Sequence, residues 1–132
     1  MSKKTQWPLK GVKVLDLGQI YNGPYAGFLL AHAGADVVKL EPLQGEVLRQ
    51  RGGGVIPLSF AMLNTNKRGI AINLKQEKGK EILIELVKEA DVLLEKVAPN
   101  AIESLVIGSK VLTDVNQRCI SAPGYGLGLT AT

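Results

Sequence analysis

The chain has 132 residues, 45% hydrophobic and 21% charged, with a formal net charge of +4. That composition suits one globular domain with a real core and excludes general disorder. Its cations are scattered and aromatic residues make up only 5%, which excludes the basic, aromatic-rich surface that grips single-stranded nucleic acid and leaves small anions as the better match for the charge.

The first element is an apolar run at Val12, Val14, Leu15 and Leu17, read as a strand. Asn22-Gly23 breaks it. Pro24 then opens a helix where its missing N–H does no harm, and Gly34 closes that helix. Residues 36–41 form a second strand, stopped by Pro42, so that residues 9–42 make one β-α-β unit. Residues 43–57 are rich in glycine, ending in Gly52-Gly53-Gly54, and read as a loop. A short helical turn is expected at 59–64, a polar turn at 64–69 and a third strand at 70–74.

The clearest helix covers 75–90, with Leu83, Leu86, Val87 and Ala90 as its buried stripe and Glu77/Lys80 and Glu85/Lys88 as exposed pairs. Residues 91–95 give a fourth strand. A short helix follows from Pro99 to Leu105, another at 111–115, and a fifth strand at 119–122. Strands alternating with helices imply an α/β fold with a parallel, doubly covered sheet and right-handed crossovers. No repeat or linker divides the chain, so residues 1–132 are expected to form one unit. After the fifth strand no helix or cap follows, and the sheet reads as incomplete.

The turn after a first parallel strand is where such folds place ligands. Gln19-Ile20-Tyr21-Asn22-Gly23-Pro24 is therefore a candidate ligand loop, since a helix N-terminus offers free N–H groups to an anion. The alternative is a tight turn that needs Gly and Pro only for geometry; neither common nucleotide fingerprint is met. Asn66-Lys67-Arg68 with Asn73-Leu74-Lys75 offers cations suited to phosphate, against the alternative of a solvated turn. Asp36 and Asp91 precede strands and lie at the amino edge; Asp114 sits near a helix end; Asp16 reads as a structural hydrogen-bonding group. His32 reads as a packed or surface histidine. Cys119, alone, reads as a buried strand thiol, and no metal cluster or nucleophile–base arrangement assembles. The polar opening residues and the lack of a long apolar run predict neither a secretory leader nor a membrane partner, and point to a cytoplasmic compartment.

Several ordered motifs resemble a known family. Gly11-Val12-Lys13-Val14-Leu15-Asp16-Leu17, Gly23-Pro24-Tyr25-Ala26 and residues 34–42 resemble the start of the family III CoA-transferases, a group that also includes α-methylacyl-CoA racemases. Residues 64–70, Asn73-Leu74-Lys75, Gly79, residues 90–95 and Pro99 agree in order and spacing, so the resemblance covers roughly residues 9–128. It implies a Rossmann-like large domain, an acyl-CoA substrate with a carboxylic acid acceptor, no metal or permanently bound cofactor, and a homodimer in full-length members. It also implies covalent catalysis: an aspartate attacks the thioester to give a mixed anhydride, CoA thiolate returns, and a second carboxylic acid collects the CoA.

Carried over by position, the CoA contacts fall on Ile20, Tyr21 and Asn22, on Asn73, Leu74 and Lys75, and on Lys96, Val97 and Ala98. The chain departs from the family pattern at Lys96-Val97, where Asn-Phe is common, at Ser104 in place of Arg, at Val106 and Ser109 in the Gly-x-Gly-Tyr pattern, and at Pro42, where some members have Arg. No aspartate of the chain matches the nucleophile. The resemblance therefore implies the N-terminal part of such an enzyme, inactive by itself; the alternatives are a non-catalytic CoA-binding fragment, a decayed remnant, or part of a racemase.

Overall fold

The structure, a computed structural model, describes residues 7–95 and 109–124. Within them the chain runs β1 (Lys13–Asp16), α1 (Asn22–His32), β2 (Asp36–Glu41), α2 (Val47–Gln50), α3 (Leu58–Leu63), β3 (Arg68–Ala71), α4 (Glu77–Lys88), β4 (Val92–Glu95), α5 (Ser109–Val115) and β5 (Ile120–Pro123). The strands form one sheet in the order β3-β2-β1-β4-β5. Every neighbouring pair is parallel. The chain walks outward from β1 to β3, then crosses back to place β4 on the other side of β1. That reversal puts the topological switch point at the carboxyl ends of β1 and β4, the crevice where open α/β sheets bind ligands.

Alternation along the strands sends side chains to both faces, and both faces are covered. One face packs Leu15, Leu40 and Leu93 against Leu83 and Val87 of α4 and Leu112 of α5. The other packs Val14, Val37 and Leu94 against Ala31 and Ala35, in and just after α1. A small satellite of Leu48, Phe60 and Leu63 joins α2 to α3. The exposed face of α4 carries the two expected pairs, Lys80–Glu77 at 2.5 Å and Lys88–Glu85 at 2.6 Å.

The helix ends explain how α1 is bounded. Gly34 takes φ +99°, its N–H bonds the Ala31 carbonyl, and the Ala35 N–H bonds the Leu30 carbonyl. This is a Schellman stop, as the glycine predicts. Pro24 is the third helical residue rather than the first; its lack of an N–H is harmless there because the whole first turn has no intrahelical acceptor.

Three other expectations shift. The third strand lies at Arg68–Ala71 and not 70–74, because pairing of Val38 with Arg68 sets the register and an Arg68–Asp36 ion pair at 2.6 Å closes its start. The expected loop 43–57 contains α2, whose Leu48 is buried beneath Phe60 and Leu63. The fifth strand begins at Ile120, leaving half-buried Cys119 in the turn before it. The helix expected at 99–105 lies outside the described residues. Among the described residues no helix is long and apolar enough to cross a membrane.

Candidate functional site at the carboxyl edge of the sheet

Beyond Asp16 the backbone turns sharply, and two glycines make the turn possible. A methyl group on Gly18 would stand 2.6 Å from the Gly23 Cα, and one on Gly23 would stand 2.6 Å from the Gly18 Cα. The loop thus closes backbone on backbone. Between them Ile20 adopts φ +66°, a region a β-branched residue rarely enters. Tyr21 caps α1 without a side-chain hydrogen bond, so the first N–H groups of the helix keep their free donors and the positive end of its dipole.

Buried charges hold this loop from behind. Asp16 is fully buried; its Oδ1 accepts the Gly18 N–H at 2.8 Å and its Oδ2 meets the Lys67 ammonium at 2.8 Å. Lys67 also donates to the Pro24 carbonyl at 2.8 Å and to Asn64 Oδ1 at 3.0 Å. Gly27 makes room for this pair, since a Cβ there would lie 2.9 Å from the Asp16 carboxylate and 3.0 Å from the Lys67 nitrogen. Burial pushes the Lys67 amine below its ordinary value, against the pull of Asp16.

A second buried group lies on the same side of the sheet. Lys39 donates to the Gly18 carbonyl at 2.8 Å and stands 2.7 Å from Glu46 Oε2, an ionic contact off the hydrogen-bond axis. Glu46 Oε1 accepts the Ile20 N–H at 3.1 Å. Glu41 takes the Glu46 N–H at 3.0 Å and both arms of the Arg49 guanidinium at 2.7 Å. Burial raises the Glu41 carboxyl, but the hydrogen bonds from Arg49 and Glu46 and the charges of Arg49 and Lys39 outweigh it and hold the group below its ordinary range. Arg49 in turn lies over the Phe60 ring at 3.9 Å.

On the opposite face of the sheet, at the same edge, a cavity of about 480 Å³ opens. Its apolar floor includes Leu17, Leu40, Ile72 and Leu74, and its polar lining is Gln19, Glu41, Gln44, Asn73 and Lys75. The volume lies within the range of small-molecule pockets. Asn73 Oδ1 accepts the Lys75 N–H at 3.1 Å, folding that part of the lining into a tight turn. At the end of β4, Glu95 is buried and Ser121 Oγ donates to its Oε1 at 2.7 Å; among the described residues its Oε2 has no hydrogen-bond partner.

A larger cavity of about 630 Å³ lies at the amino edge, between α4 and the strands. The charges there close on one another, Arg68 on Asp36 and Lys13 on Glu89 at 2.7 Å, and the amino edge is not where parallel sheets bind ligands.

Of the residues singled out from the sequence, Asn73, Leu74 and Lys75 line the carboxyl-edge cavity. Ile20 and Tyr21 lie in the adjoining loop and Asn22 opens α1; of this stretch Gln19 is the residue that reaches the cavity. Lys96, Val97 and Ala98 lie outside the described residues. Lys67 is buried and committed to Asp16, whereas Arg68 is exposed on the edge strand and paired with Asp36. Asp36 is paired, and Asp91 accepts the Lys13 N–H at 2.8 Å. Asp114 is exposed on α5. His32 is an exposed residue whose ring sits 4.2 Å from that of Phe28. Sequence reasoning passed over Lys39, Glu41 and Glu46. For Lys39 and Glu41 the available signal was charge inside an apolar strand, because a charge buried there requires a partner; Glu46, before α2, carried no such signal.

A parallel α/β sheet in this strand order, with a cavity and a glycine-built loop at its carboxyl edge, defines a Rossmann-like domain. CoA-transferase family III matches residues 9–131, and the chain belongs to that family. It is 42% identical over 123 residues to a formyl-CoA:oxalate CoA-transferase of Streptomyces avermitilis, covering 91% of this chain and 30% of the relative. It is 39% identical over 117 residues to a formyl-CoA:oxalate CoA-transferase of Escherichia coli, covering 86% of this chain and 28% of that protein. A CAIB/BAIF family protein from Brucella suis superposes with a TM-score of 0.89 at 32% identity, over 95% of this chain and 35% of that one. A hypothetical protein from Mycobacterium tuberculosis does so with a TM-score of 0.89 at 33% identity, over 96% and 35%. The chain thus spans about 30% of the length of the curated relatives it matches.

Proposed function

We propose that this chain is the N-terminal part of the large Rossmann-like domain of a CoA-transferase, one that moves CoA between an acyl-CoA and a carboxylic acid. Its own contribution is half of the CoA cradle. The carrying observation is the meeting of residues distant in sequence, Leu17 and Gln19 with Asn73, Leu74 and Lys75, around one cavity at the carboxyl edge of the sheet. In this reading the head of α1 and Lys75 face the ligand's phosphates with N–H donors and positive charge. The apolar floor takes uncharged parts of the molecule. Ile20, Tyr21 and Asn22, and Lys96, Val97 and Ala98 after β4, complete the contact.

The nucleophilic aspartate of the mechanism belongs elsewhere in the full enzyme. The placement of Asp16, Asp36, Asp91 and Asp114 supports this: the first is locked in a buried ion pair, the next two are held at the amino edge, and the last points to solvent. The proposal extends to homodimeric assembly of the complete enzyme, a cytoplasmic location, and CoA thioesters as substrates with no permanent cofactor. Incubation with an acyl-CoA and oxalate tests the division of labour. No transfer is expected from this chain alone, and measurable transfer would show that a nucleophile lies within it. Formyl-CoA and oxalate are the natural first pair, given the relatives.

A further inference from the structure

We propose that the buried Lys39–Glu46 pair is a positioning device for the ligand loop, gripping both ends of the Gly18–Ile20 turn and so fixing the head of α1. The ligand clause rests on the reading that residues 20–22 contact CoA. Ile20 is a β-branched residue at φ +66°, a conformation that persists only where its surroundings impose it. The imposing groups are identifiable. Glu46 Oε1 accepts the Ile20 N–H at 3.1 Å, and Lys39 Nζ donates to the Gly18 carbonyl at 2.8 Å. The two side chains are 2.7 Å apart and at most 3% exposed.

One ion pair thus satisfies the inward N–H and the inward C=O of a single turn, each of which would be costly to bury unpartnered. The pair is itself anchored: Glu41 accepts the Glu46 N–H at 3.0 Å and grips Arg49, which lies on Phe60. Segment 46–63 is therefore tied to the loop through Glu46. Neither Lys39 nor Glu46 lines the cavity, but Glu41, which accepts the Glu46 N–H, does; the Ile20 amide therefore serves as the readout specific to the loop.

The test uses the whole chain, CoA as probe, and two readouts: affinity by calorimetry, and hydrogen exchange of the Ile20 amide. In Lys39→Met/Glu46→Leu, which leaves no lone buried charge, the Ile20 amide is expected to lose its protection. CoA affinity should fall by about tenfold or more, as loss of preorganisation does. The Leu17 amide, bonded to Leu94 in the sheet, should stay protected. Lys39→Met/Glu46→Gln keeps an acceptor for Ile20 and should recover most of both losses, which a merely structural role would not explain. Affinity within about threefold of the parent, well under 1 kcal/mol, in a folded Lys39→Met/Glu46→Leu chain would overturn the proposal. So would an Ile20 amide that stays protected. Should that variant fail to melt cooperatively, Glu46→Asp, one methylene too short to span Lys39 and Ile20 together, carries the same two readouts. A parent chain that binds no CoA would refute the functional reading and the ligand clause with it, while the exchange data still decide whether the pair holds the turn.

Discussion

Replacing Lys67 by methionine should destabilise the chain far more than a surface lysine would. The ammonium is 1% exposed and its partner Asp16 is fully buried. Loss of one partner leaves an uncompensated charge in the interior, at about 3–5 kcal/mol. The Pro24 carbonyl and Asn64 Oδ1 lose the same donor, which places the outcome toward the upper end of that range. For a chain of this size a loss of about 4–5 kcal/mol lowers the melting temperature by roughly 14–18 °C. Asp16→Asn/Lys67→Met removes both charges while the asparagine oxygen still accepts the Gly18 N–H, and a buried pair replaced by neutral groups of similar volume is close to neutral, within about 1–2 kcal/mol. Urea denaturation followed by circular dichroism, with equal slopes for the variants, measures the cycle. A loss below about 1 kcal/mol for Lys67→Met, against the range just worked, would refute the reasoning. A double variant as unstable as the sum of the singles would refute it as well.

Gly27→Ala puts a methyl group 2.9 Å from the Asp16 carboxylate and 3.0 Å from Lys67; with both groups enclosed, the expected loss is about 1–3 kcal/mol, read by thermal melting. Arg49→Met should weaken the acid limb of stability. A carboxyl held below its ordinary range, as Glu41 is, stabilises the fold above about pH 4.3 and stops doing so as pH falls through its lowered value. Without Arg49 that loss should start at a higher pH in an acid titration monitored by Trp7 fluorescence; an unchanged midpoint would contradict the assignment. Burial, with Asp91 nearby, raises the Cys119 thiol above its ordinary value, so alkylation by iodoacetamide near pH 7.5 should run slower than for a free cysteine until urea exposes it.

The parallel architecture was legible because β1, β2 and β4 have strong local signs, apolar runs bounded by Gly34, Pro42 or Asp91, and α4 has a stripe at Leu83, Val87 and Ala90. Where local signs were weak, tertiary contacts decided. Helix α2 has only four residues, too few for periodicity, and exists because Leu48 finds Phe60 and Leu63. Strand β3 is an exposed edge whose start is set by its neighbour and by Asp36. At the site, the loop after β1 was readable from its turn residues, whereas residues 73–75 were expected as a strand end and a helix start and instead form a turn closed by Asn73. The charged scaffold behind them was not, because Asp16 and Lys67 lie 51 residues apart and only folding brings them together. For the same reason Lys67 read as either a phosphate ligand or part of a solvated turn, when it is a buried strut.

The central claim is that the carboxyl-edge cleft takes CoA, and an amide chemical-shift titration of the isotope-labelled chain with CoA tests it most directly. Shifts concentrated at Gln19, Tyr21, Asn22, Leu74 and Lys75, saturating by millimolar CoA, are the predicted result. No shifts at that concentration, or shifts confined to Lys13, Arg68 and Ile82 around the amino-edge groove, would contradict it.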